Sequence, residues 1–142
     1  MKTGPVIARI KATMAARFGT RVGGTAEFVG ARDSQDTMAV PHAFVMTLPD
    51  EPTEPLTVSN ITQALDDRFC VIVAVSNTVD PRGQNADDQL DDIRTEMLQA
   101  LMNWEPGDPL FHSALIYDGF ENIELTRARL WRRFNFRTIT VV

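Results

Sequence analysis

The chain has 142 residues, 19 acidic against 14 basic side chains, a net charge of −5 and one cysteine. This length suits one domain, 1–142, with one core. The lone cysteine excludes an intrachain disulfide, the longest apolar run (Phe69 to Val75) is far short of the ~20 residues of a membrane-spanning helix, and the acidic balance argues against a dedicated, sequence-specific nucleic-acid binder, which needs a basic surplus. The charge is unevenly distributed: residues 1–47 hold six basic and three acidic groups, 48–124 hold three and sixteen, and 125–142 hold five and none. A basic C-terminal strand and an acidic middle can meet across a subunit boundary or neutralise one another within a monomer.

In chain order, residues 4–18 read as a helix, with Pro5 near its start, Val6, Ile10, Met14 and Phe18 on one face, and Gly19 as its stop. Arg21 to Ala31 reads as a strand, with Gly23-Gly24 marking a bulge or close contact. Residues 32–39 read as a loop. Ala43 to Leu48 reads as a second strand, ended by an acidic, proline-rich loop, Pro49 to Pro55, that is expected not to pair in a sheet. Residues 56–68 read as a strand or a short helix and turn.

The organising segment follows. Phe69 to Ser76 is apolar at both parities, as in a central strand covered on both faces. After a loop, Ala86, Leu90, Ile93, Met97, Ala100 and Trp104 recur at spacings of four and three, which lines one stripe of a long helix. Asp80 and Pro81 suit its N-terminus, and the Pro106 to Pro109 stretch cannot continue it. Ala114 to Tyr117 reads as a short strand closed by an Asp118-Gly119 turn. Leu130 to Val142 is strand-like throughout, with Phe134 and Phe136 on one face and Trp131, Arg133, Asn135 and Arg137 on the other. Arg132 breaks the apolar face. That position fits an edge side chain reaching water or an intersubunit ion pair. The expected fold is α+β: a mainly antiparallel or mixed sheet packed against an N-terminal helix and a long central helix.

No nucleophile or metal constellation has convincing spacing. His42 and His112 are seventy residues apart, no glycine-rich phosphate loop is present, and Asp87, Asp88, Asp91 and Asp92 read as a solvated face at a helix N-terminus rather than a cation site. Cys70 reads as a small buried hydrophobe.

The order Val71 to Val75, Asn77 and Asp80, Arg82-Gly83-Gln84, Ile93-Arg94, Glu96, Leu98, Leu101, Trp104, then Tyr117-Asp118-Gly119 and Leu130 to Phe134, resembles the tail terminator proteins of long-tailed bacteriophages over roughly residues 68–136. The resemblance implies a small subunit that assembles in the host cytoplasm into a hexameric ring of the virion. That ring caps the last ring of the tail tube, stops its polymerisation and presents a surface to the head-completion or neck protein at the tail-neck junction. It also implies no enzymatic activity and no cofactor. Arg129, Arg132, Arg133 and Arg137 are the candidate oligomer or partner interface. Asp87, Asp88, Asp91 and Asp92 are the candidate lumen-facing acids, past which DNA slides rather than binds. The alternatives are a neighbouring tail-completion or neck protein, a small metal-dependent enzyme using His42, His112 and the aspartates, and a ligand-binding module.

Overall fold

The computed structural model describes residues 2–33, 39–49, 51–55, 63–76, 84–102, 104, 114–125 and 129–141. The elements run α1 (Gly4–Thr13), α2 (Ala15–Phe18), β1 (Val22–Gly23), α3 (Thr25–Asp33), β2 (His42–Thr47), β3 (Glu51–Pro55), β4 (Gln63–Ser76), α4 (Gln84–Leu101), β5 (Ile116–Leu125) and β6 (Arg129–Val141). They build an α+β fold on a six-stranded mixed sheet of order β1-β2-β4-β6-β5, with β3 beside β4 off that path. Only β1 and β2 pair in parallel among the named strands; the others pair antiparallel.

The expected N-terminal helix forms as two pieces, broken at Met14, where φ is −118° and ψ 29°. The stripe survives the break: Val6, Ile10, Met14 and Phe18 are all buried. Gly19 ends it with φ 57°, a conformation that glycine adopts without strain. In α4 the predicted stripe also holds, with Ala86, Leu90, Ile93, Met97 and Ala100 buried together with Leu101. Trp104 lies past the helix end, half-buried against the core.

These helices cover one face of the sheet, meeting Ala43 and Val45 of β2, Phe69, Val71, Val73 and Val75 of β4, and Phe134 and Phe136 of β6. Each large side chain so enclosed contributes about 1.5–3 kcal/mol. On the opposite face a smaller cluster gathers Phe44, Cys70, Ile72, Ala74 and Trp131 beneath Phe28 and Ala31 of α3. Burial of both faces of β4 is what the uninterrupted apolar run from Phe69 to Val75 requires.

Four expectations are corrected. The strand over Arg21 to Ala31 is only Val22–Gly23; the rest is α3. Glu27 accepts a 3.1 Å hydrogen bond from the Gly24 backbone N–H, satisfying a donor at the helix start as in one half of a capping box. A Cβ at Gly23 would lie 2.8 Å from the Glu27 Cβ, so that entry needs glycine. Second, Glu51–Pro55 does pair, antiparallel to β4, with a register shift between Pro52 and Pro55. It pairs beyond the stretch held by β2, in an edge position where proline is tolerated.

Third, the Asp118-Gly119 step is not a turn closing a short strand. β5 runs through it to Leu125, and Gly119, with φ 92°, lies in a register shift between Tyr117 and Phe120. An Asp-Gly pair serves a bulge as well as a turn because both need one left-handed residue. Finally, β6 is not an edge: it pairs with β4 from Arg129 to Val141 and with β5 from Leu130 to Arg137. The expected cap at Asp80 and Pro81 lies outside the described residues.

Candidate interface residues

The unbroken register of β6 against β4 sends successive side chains to opposite faces, so the candidate arginines divide. Arg132 points to the side of the helices. It is 6% exposed, and its guanidinium donates to Asp87 Oδ1 at 2.6 Å and, through Nε, to Asn122 Oδ1 at 2.8 Å. It also lies 4.4 Å over the Phe120 ring. The reading of Arg132 as an edge side chain reaching water is therefore replaced: it is a buried cation held by one carboxylate, one amide and one aromatic ring. Within this chain its guanidinium is engaged by Asp87 and Asn122.

Arg133 and Arg137 take the other face, each half-buried. Arg133 donates to Glu121 at 2.7 Å, and Arg137 to Asp118 at 3.1 Å and Asp66 at 3.5 Å. The Asp118 hydrogen bond is the main cause of the raised Arg137 pKa. These pairs face solvent, so each contributes only ~0.2–1 kcal/mol. Arg129 is buried at the start of β6.

The acidic set divides as well. Asp87 serves Arg132, whereas Asp88, Asp91 and Asp92 are exposed along α4; Asp91 has Arg94 at 3.5 Å as an i,i+3 partner. Among the described residues no three histidine, cysteine or carboxylate side chains gather to hold a metal ion. His42 stacks on Phe44 with centroids 4.4 Å apart and planes 4° from parallel, and burial lowers its pKa. His112 lies outside the described residues. Burial pushes the Cys70 thiol up to about 11, which leaves it protonated and unreactive at neutral pH.

The helical layer has its own polar contacts. Arg17 grips Glu96 through two bonds, Nε at 3.0 Å and Nη2 at 2.7 Å, and this partner raises the Arg17 pKa. Arg9 donates to the Ala100 carbonyl at 2.9 Å, satisfying one of the acceptors left open at the C-terminus of α4, and lies 5.6 Å over the Trp104 ring. Between these elements runs an open groove of about 610 Å³, lined by Arg9, Thr13, Arg17, Glu96 and Gln99 among others. Its cations are already engaged with groups of the chain itself.

The chain matches the family described as phage tail terminator protein across residues 1–142. It belongs to that family. No curated protein matches it. The match extends the resemblance of the central segment to both ends, including the N-terminal third, and assigns this phage tail terminator family member a structural role in a phage tail, as a component of the virion. No described helix is long and apolar enough to cross a membrane.

Sequence reasoning missed the three most exposed large apolar side chains among the described residues, Phe120 and Ile123 on β5 and Val29 on α3, which are 46%, 48% and 48% exposed. Two misread elements hid them. The signal was present in β5, where apolar and polar residues continue past Gly119, and in α3, where a glycine three residues before Glu27 is a helix start.

Proposed function

We propose that this protein caps the tail tube as a homohexameric ring, stops tube polymerisation and presents the joining surface to the head-completion or neck protein at the tail-neck junction. The observation that carries this reading is the family match over residues 1–142. The physical character of the described residues agrees with it: Cys70 is buried, His42 stacks on Phe44, Asp87 holds Arg132, and the sheet ends in a strand with exposed Phe120 and Ile123. The protein acts without enzymatic activity or cofactor. Its partners are itself, the tail tube protein and the neck protein.

In that ring the exposed carboxylates of Asp88, Asp91 and Asp92, with Asp87 beside them, line the channel through which DNA passes. Negative walls repel phosphate at distances within the ~8 Å screening length of physiological salt, so the genome slides and does not adhere. Arg133 and Arg137, half-exposed beside β5, contribute to register at the subunit or tube contact, whereas Arg132, bound to Asp87 and Asn122, holds the subunit together.

The test is the native mass of the protein alone and with tail tube protein, combined with tube length by electron microscopy. A hexamer-mass species on tube ends and arrest of elongation are expected. Tubes that elongate unchanged, with no protein at their ends, would overturn the reading.

A further inference from the structure

We infer that the groove between α1, α2 and α4 is a docking site for a short segment of a partner protein that carries a carboxylate beside apolar residues, with Arg9 as its anchor. This site does not depend on the ring reading above. Its volume of about 610 Å³ falls within the range of roughly 300–1,000 Å³ typical of ligand sites. Met14 and Ala100, 4% and 6% exposed, give it an apolar floor, and Gln99, which also lines it, is exposed.

The charged groups of the groove divide into a closed pair and an open cation. Arg17 donates from Nε and Nη2 to the two oxygens of Glu96, so the one carboxylate among the described lining residues is neutralised. Arg9 is engaged on one edge only. Its Nε donates to the Ala100 carbonyl at 2.9 Å and its guanidinium carbon lies 5.6 Å over the Trp104 ring, while its two Nη atoms have no acceptor among the described residues. The end of α4 carries about half a negative charge from its open carbonyls and Arg9 a full positive one, so the site stays positive. An arginine fixed at Nε holds its planar pair of Nη donors in place, and that pair matches the two oxygens of a carboxylate. Because Ala100 and Trp104 already restrict the side chain, little further rotamer freedom is lost on binding.

The surroundings select the occupant. From Met1 to Ala26 the chain has five basic residues and no acidic one, so the wall formed by α1 and α2 attracts negative charge. The outer face of α4 exposes Asp88, Asp91 and Asp92, and Asp92 is close enough to Arg17 to help raise its pKa. These acids repel a polyanion such as duplex DNA. A single carboxylate at Arg9 sits beside Ala100, eight residues or about 12 Å of helix from Asp92, beyond the ~8 Å screening length of physiological salt. The apolar floor then takes the aliphatic neighbours of that carboxylate, which a sugar-phosphate backbone lacks.

Titration of the full chain with an acetylated, amidated hexapeptide of alternating leucine and glutamate, followed by NMR of the Arg9 side chain, tests this. Saturable binding with a shift of the Arg9 Nε signal is expected, and the counterpart peptide with glutamine in place of glutamate is expected to bind about tenfold more weakly. Gln99→Glu adds a carboxylate next to Ala100 at an exposed position and is expected to weaken the glutamate peptide about tenfold with an unchanged circular dichroism spectrum. Arg9→Lys, which keeps the charge and loses the fork, is expected to weaken it as well. Equal binding of the two peptides, or binding untouched by Gln99→Glu, would show that Arg9 only braces the end of α4. The absence of binding at millimolar peptide, or saturation by inorganic phosphate in preference to the glutamate peptide, would also overturn the inference.

Discussion

Asp87 and Arg132, 45 residues apart in sequence, meet at 2.6 Å and tie the first turn of α4 to a strand inside the sheet. The pair is asymmetric: the Arg132 side chain is 7% exposed and that of Asp87 54%. Removing Asp87 leaves a buried cation whose remaining protein contacts are Asn122 and the Phe120 ring, although water can reach the vacated side. Asp87→Ala is expected to cost about 1–3 kcal/mol. Urea denaturation of Asp87→Ala, Arg132→Met and the double variant measures the coupling. A value under about 0.5 kcal/mol would show that solvent replaces the carboxylate.

The α4 stripe offers a stronger test. Ile93 is fully enclosed among sheet and helix side chains, so Ile93→Asp buries a carboxylate with no partner. A loss of about 4 kcal/mol or more is expected, enough to unfold many domains of this size at physiological temperature. A variant melting with the parent would place Ile93 outside the core.

The core was legible where periodicity ran long. The two-sided apolar run from Phe69 to Val75 and the stripe from Ala86 to Ala100 each have one physical solution, and the structure adopts it. The misreadings fall where local pattern and tertiary context compete. In Arg21 to Ala31 the alternation suggested a strand, but the Gly24 to Glu27 hydrogen bond starts a helix whose Phe28 fills the space over Phe44 and Trp131. In β5 the Asp-Gly pair fitted both turn and bulge, and only pairing with β6 decides between them. Arg132 was conspicuous as a charge on an apolar face. Its partner could not be found from sequence, because nothing local to Asp87 says which of four nearby carboxylates meets the sheet.

A pH effect follows from His42. Burial lowers its pKa below the ordinary value near 6.5, so the folded state binds the proton less readily than the unfolded chain. The contribution is fully present above the unfolded pKa and is lost as pH falls through about 6.5 toward the lower folded value. Parent stability minus that of His42→Gln is therefore expected to decline between about pH 7.5 and about pH 5.5. Urea titrations of both proteins across that range check it. A difference independent of pH would mean that the ring titrates equally in both states.

The exposed acids of α4 give the last test. Asp88 lies at the end of the first turn of α4 and Asp91 and Asp92 a turn further on, all exposed and mostly beyond the reach of the helix dipole, so replacing all three with asparagine is expected to cost no more than about 1 kcal/mol and to leave the subunit folded. Their effect on DNA is expected to be larger. A ring whose channel is negative excludes duplex DNA from persistent contact, and three fewer charges per subunit remove that barrier. The assembled triple variant is expected to retain DNA at low salt at least tenfold more than the parent ring, with the difference vanishing as salt screens the wall. Mobility-shift titration of assembled rings at several salt concentrations measures this. Equal retention by parent and variant, both with hexamer mass, would put these carboxylates on the outer circumference and leave passage of the genome to other surfaces.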